Sequence, residues 1–81
     1  MEIQLIDGQY TSADALELLT QIIHVKIKFH ENKISGKSTE EDVKARERRI
    51  KQLQKDLFEL RNYISSKRGG AIALRSTVVI K

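Results

Sequence analysis

Val43, Arg46, Ile50, Leu53, Leu57, Leu60 and Ile64 recur at alternating intervals of three and four, which is the a/d seam of a helix made to lie along another helix. Only Arg46 breaks the apolar series. The seam commits the stretch from Thr39 to Lys67 to one long helix and requires a second helix for it to pack on.

The preceding stretch supplies that helix. Ala15, Leu16, Leu18, Leu19, Ile22, Ile23, Val25, Ile27, Phe29 and Ile34 spread over about 200° at helical spacing, wider than the stripe that faces a single partner. The first helix, from about residue 12 to 34, therefore touches two surfaces. One is the second helix; the other is the strands, a second subunit, or both. Thr11 or Ser12 is placed to accept the unpaired amides of the first turn, and Asp14 suits the positive end of the helix dipole.

Ser35-Gly36-Lys37-Ser38 is a short polar loop in which Gly36 can adopt the left-handed conformation that ends a helix, and Ser38-Thr39-Glu40-Glu41 fits the capping-box pattern. So short a connection makes the two long helices antiparallel neighbours. The second helix, from about residue 39 to 68, gathers Glu40, Glu41 and Asp42 at its start and Arg61, Lys67 and Arg68 at its end, as the dipole favours. Glu40 with Lys44, Asp42 with Arg46 and Glu47 with Lys51 are spaced as i,i+4 ion pairs. Gly69-Gly70 stops the helix.

Period two replaces helical period at both ends. Met1 to Ile6 alternates, with Met1, Ile3 and Leu5 on one face and Glu2, Gln4 and Ile6 on the other, before Asp7-Gly8 signals a turn. From Ala71 to Ile80, Ile72, Leu74, Ser76, Val78 and Ile80 share one face, and the run is rich in strand formers. Because a helical hairpin returns the chain to its starting end, the two strands can meet, most simply antiparallel. A lone two-stranded ribbon is marginal in water and leaves both edges open; pairing between two chains would give four strands with four helices packed on them.

Size sharpens the need for a partner. A chain of 81 residues is near the limit at which one core offsets the entropy of ordering, and disulfides, a metal or oligomerisation usually help. With no cysteine and two histidines, oligomerisation is the remedy left. The start of the chain lacks a basic segment followed by an apolar run, and the apolar positions of 15 to 29 are interrupted too often for a membrane span. The expectation is a cytoplasmic protein that does not enter the membrane.

The net charge of +4 lies entirely in the second half, where residues 35 to 68 hold ten Lys/Arg against six Asp/Glu. Lys44, Arg46, Arg48, Arg49, Lys51 and Lys55 are the densest part. Clustered cations release counterions from nucleic acid, but these are spread around the helix rather than confined to one stripe, and no aromatic residue stands among them to stack on bases; Phe58 lies close but outside. A solvated face is the plainer reading. Arg46 on the seam either fixes register or packs its stem while the guanidinium reaches solvent or Glu31. His24 belongs to the polar face beside Glu17, Lys28 and Glu31, and His30 falls within the apolar arc near Val43 as a hydrogen-bonded border residue. Six positions apart on a helix they diverge by about 120° and do not converge on a metal. Lys67-Arg68-Gly69-Gly70 follows a helix C-terminus, where the dipole repels anions, so it reads as a stop signal and not a phosphate loop.

These observations make the fold α+β, predominantly α: one domain in the order β-α-α-β, a long helical hairpin closed by terminal strands and dimerising into a four-helix assembly. The function read from them is a non-enzymatic homodimeric interaction or scaffold protein, with an unidentified protein partner beyond itself. No catalytic, cofactor-binding or metal-ligating residue is assigned. Leu18, Ile22, Val25, Phe29, Phe58, Val78 and Ile80 are the expected dimer interface. The alternative is nucleic-acid binding through Lys44, Arg48, Arg49, Lys51 and Lys55.

Overall fold

Thr11 and Thr39 each begin a helix in the same way. In the computed structural model, which describes residues 1–67 and 69–81, both threonines are extended and accept a hydrogen bond on the side-chain oxygen from the amide three residues on, Asp14 and Asp42, at 3.1 Å. Each hydroxyl thereby satisfies one orphan amide of its helix. The element order is β1 (Glu2–Tyr10), α1 (Ser12–Lys33), α2 (Glu40–Ser65) and β2 (Ile72–Val79), with β1 and β2 paired antiparallel. This is the β-α-α-β order and the predominantly helical α+β class that the sequence predicts.

The helices form an antiparallel hairpin. At its open end the Ser12 hydroxyl donates to the Lys67 carbonyl at 3.1 Å, and towards the loop Arg46 meets His30. The seam lies where it is predicted: Leu53, Leu57 and Ile64 are buried, and Val43, Arg46, Ile50 and Leu60 are half-buried. On α1, Leu16, Ile23, Ile27 and His30 recur at helical spacing and are half-buried, as is Ile34 just past its end.

The loop departs from expectation in two respects. Ser38 does not cap α2: its hydroxyl accepts from the Ser35 amide at 3.1 Å and donates to the Lys33 carbonyl at 3.4 Å, so it serves the C-terminal end of α1. Nor does Gly36 take a left-handed conformation. α1 stops because Ile34 turns extended (φ −77, ψ 119) while its amide donates to the Glu31 carbonyl. The positive φ falls instead at Gly69 (φ +78), after α2, where a glycine costs least.

α2 ends at Ser65 rather than at 67 or 68, so Arg61 and Lys67 are not in its last turn. Lys67 instead places its ammonium over the Tyr63 ring, 5.2 Å from the centroid, a cation–π contact. The expectation for Arg68 lies outside the described residues. Of the three predicted i,i+4 pairs, Glu40 and Lys44 are in contact at 3.2 Å, the one ion pair among the described residues. Both partners are well exposed, so it adds a few tenths of a kcal/mol.

The sharpest correction concerns β1. Asp7-Gly8 is no turn: the strand runs through it, with Asp7 opposite Arg75 and Gly8 opposite Leu74. Pairing with β2 overrides the local turn preference, and the Tyr10 ring covers the glycine, 3.8 Å from where a Cβ would stand. The register also slips by one residue between Gln4 and Ile6, leaving Leu5 as an extra residue, a β-bulge. Ile3 faces Val78, Ile6 faces Ser76, and residues opposite each other share a face of the sheet. The bulge therefore brings Ile3 and Ile6 to the same face, whereas strict alternation separates them.

The ribbon is consequently amphipathic along its whole length. Met1, Ile3, Ile6, Tyr10, Ile72, Leu74, Val78 and Ile80 lie on one face; Glu2, Gln4, Asp7, Gln9, Arg75 and Thr77 lie on the other. Its half nearest the helices is covered: Ile6 is buried and Tyr10, Ile72 and Leu74 are half-buried, with Leu19, Leu60 and Ile64 lining the same groove as Ile72 and Leu74. The far half is not. The molecule measures 48 × 32 × 14 Å, and two packed helices are only about 15 Å across, so the second dimension is reached by the ribbon leading away from them. The radius of gyration, 15.4 Å, exceeds the roughly 12 Å of a compact chain of this length.

Candidate functional site

Ile6, Ala15, Leu53, Leu57 and Ile64 are the buried apolar side chains, a small core for this chain. Much of the apolar surface that would normally join it remains in water, and two groups of these side chains are aligned.

The first is the far half of the ribbon. Met1 and Ile80 exchange backbone hydrogen bonds at 3.0 and 2.7 Å, and their side chains, with those of Ile3 and Val78, continue the apolar face beyond the helices. Met1 is 80% exposed, Ile80 50%, and Ile3 and Val78 just over a third. Val78 and Ile80 are among the residues predicted for an interface. Met1 and Ile3 are not, although the alternation of residues 1 to 6 sets them on one face; what the bulge at Leu5 adds is Ile6 beside them.

The second group is on α1. Leu18, Ile22, Val25 and Phe29 recur at intervals of four, three and four, a strip separate from the residues that face α2. Leu18 and Ile22 are half-buried, whereas Val25 (68% exposed) and Phe29 (55%) stand in solvent. The Lys33 ammonium lies 5.4 Å from the centre of the Phe29 ring, and the His30 ring meets that ring edge-on at 5.8 Å. Phe58, the remaining predicted interface residue, is 67% exposed on α2, away from the seam. The structure thus leaves Val25, Phe29, Phe58, Val78 and Ile80 open and half-covers Leu18 and Ile22.

The basic residues divide once α2 is oriented. Arg46 is drawn inward, its Nη1 3.1 Å from His30 Nδ1, so its partner is His30 and not Glu31. Lys44, Arg48, Arg49, Lys51 and Lys55 are all exposed. Four of them, Lys44, Arg48, Lys51 and Lys55, recur at four, three and four, and so form a strip on the helix side opposite the seam; Arg49 points well off it. The expectation of cations spread around the helix is corrected to that extent. Phe58, three residues past Lys55, borders the strip.

Among the described residues no cluster of three or more His, Asp or Glu is placed to hold a metal ion, and no helix is long and apolar enough to cross a membrane. His24 is exposed and His30 is engaged with Arg46. A groove beside the start of α1 is lined by Gln9, Tyr10, Thr11, Ser12, Ala13 and Gly69 to Ala71, a set with hydroxyls and backbone amides but no carboxylate or imidazole. Comparison with protein-family models, with curated proteins and with solved structures finds no match to this chain.

Proposed function

We propose that this protein is a non-enzymatic interaction module that works as a homodimer in the cytoplasm, its helical hairpins assembling side by side and its outer faces holding a further protein. The supporting observation is the apolar face of the ribbon, which runs past the helices and leaves Met1, Ile3, Val78 and Ile80 in water. Val25, Phe29, Phe58, Leu5, Tyr63 and Val79 are also exposed, but they stand apart from this face, which is the continuous part of the uncovered apolar surface. A contiguous apolar face left open in this way marks an interaction surface more often than a scattering of single apolar side chains does. Sedimentation equilibrium at micromolar concentration tests the reading. A dimer is expected, and a well-folded monomer overturns it.

A second reading is favoured by the strip of Lys44, Arg48, Lys51 and Lys55, which tracks one side of α2 for about 16 Å. It is nucleic-acid binding through phosphate contacts, with an affinity that falls steeply as salt is added. Arg48→Ala with Lys51→Ala then weakens binding at low salt by much more than Arg49→Ala, whose side chain lies off the strip. No binding of DNA or RNA at low salt eliminates this reading.

A further inference from the structure

The two edges of the ribbon are not equivalent. β1 carries the bulge at Leu5 and the Asp7-Gly8 pair, features that twist or weaken an edge and discourage another strand from adding to it. β2 has neither: Ile72–Val79 pairs without interruption on its own side and ends in Thr77, Val78 and Val79, with Ile80 just beyond it bonded to Met1. Its open edge is the natural docking line.

The hydrogen-bond pattern shows which residues face that line. Ile80 exchanges both of its backbone bonds with Met1, so the even-numbered residues of β2 turn their amides and carbonyls towards β1. By alternation, Ala73, Arg75, Thr77 and Val79 turn theirs outward. An antiparallel copy of the same strand keeps the apolar face continuous only if even residues oppose even ones and odd residues oppose odd ones, which places the two-fold axis on a residue rather than between two. Ser76 stands at the middle of the run from Ile72 to Ile80. With the axis there, Ala73 opposes the partner's Val79 and Arg75 the partner's Thr77. All four outward-facing residues are then hydrogen-bonded on each chain.

The side chains agree. Ser76 is the one small polar residue on the apolar face of β2. On the axis it meets its own copy at the close spacing of a non-hydrogen-bonded pair, about 4.5 Å between Cα atoms, where leucine or valine would crowd and two hydroxyls can share a hydrogen bond. Arg75 opposes the uncharged Thr77 of the partner subunit and has Asp7 across from it on β1, so a carboxylate stands on the strand beside each arginine. Val78 and Ile80, left in water on the single chain, come beside the partner's Leu74 and Ile72, at the end where the partner's helices begin. The half of each ribbon that its own helices leave bare is brought next to the half that the partner's helices cover.

We propose that a second copy of this chain docks along the open edge of β2, antiparallel about a two-fold axis at Ser76, to form a four-stranded sheet in the order β1-β2-β2-β1 across the two copies. This rests on the homodimer reading and specifies its geometry.

Because the chain contains no cysteine, Ser76→Cys is a clean probe: the expected Cα spacing is within the disulfide range of about 4.4–6.8 Å. Mild oxidation is expected to convert S76C to a disulfide-linked dimer much faster than Gln4→Cys, an exposed position on the other strand. Thr77→Pro removes an outward amide that makes no bond to β1. It is expected to weaken the dimer about tenfold or more in sedimentation equilibrium, with the helical circular dichroism retained. If the wild-type chain is a dimer while S76C cross-links no faster than Q4C and T77P dissociates at the wild-type concentration, the sheet-edge geometry is wrong and the homodimer stands. A wild-type monomer at micromolar concentration overturns both, and the open edge is then left for a strand from another protein. Should T77P fail to fold, the cross-linking rates alone decide.

Discussion

Arg46 and His30 meet across the helical hairpin with the arginine Nη1 3.1 Å from the histidine Nδ1. A guanidinium is only a donor, so Nδ1 accepts and the ring proton sits on Nε2. One contact thus accounts for two sequence oddities, a charged residue on an apolar seam and a histidine within an apolar arc. The seam position is half-buried rather than buried, which lets the arginine stem pack while its head reaches the rim. Nitrogen-15 spectra of the neutral His30 ring are expected to show the Nε2–H form. In a double-mutant cycle with Arg46→Met and His30→Gln, followed by urea unfolding at fixed protein concentration, the coupling should be about 0.5–1.5 kcal/mol. Zero coupling would mean that the contact contributes nothing to stability.

Two aliphatic helix residues with opposite burial should behave differently. Leu53, 4% exposed on the seam, leaves a cavity when cut to alanine, and Leu53→Ala is expected to cost about 2–4 kcal/mol. Val25→Ala, at a side chain 68% exposed, should cost about 0.5 kcal/mol or less at low protein concentration. Denaturation at low protein concentration measures both. A similar loss at the two positions would contradict the packing described.

Thr39, and not Ser38, begins α2. Thr39→Ala is expected to lower stability by about 1 kcal/mol through the orphaned Asp42 amide. Ser38→Ala should cost less, because its hydroxyl serves a solvent-exposed loop. The reverse order in thermal unfolding would restore the capping box at Ser38.

Leu5 is the extra residue of β1, so its deletion should heal the ladder without moving any side chain to the wrong face. Gln4 would still oppose Thr77 and Ile3 would still oppose Val78. The variant is expected to fold within about 1 kcal/mol of the parent. Deletion of Ala73 from the regular strand instead turns Ile72 to the polar face and should cost about 2 kcal/mol or more. Chemical denaturation of the two deletions compares them directly.

The features legible in the sequence are those set within a few residues. Helical spacing from Val43 to Ile64, a threonine ahead of each helix, a short polar loop and a period-two run after Gly69-Gly70 lead to two helices, their order and their antiparallel pairing. Each depends on contacts that span a turn or two of backbone. The exposure of the outer side of α1 was legible to the same degree: Val25 and Phe29 continue an a/d strip that the helix cannot hide against α2 as well, and both stand in solvent.

The rest was decided by tertiary structure, because it turns on which residue lies opposite which. Asp7-Gly8 reads locally as a turn, yet with Arg75 and Leu74 across from it the backbone does better as ladder. The bulge at Leu5 has no local signature and exists because Ile3 and Ile6 must reach one apolar face. Arg46 selects His30 over Glu31 only once the two helices are in register. Local sequence determines the elements and their order; long-range pairing determines their register, and register decides which face of each is left uncovered.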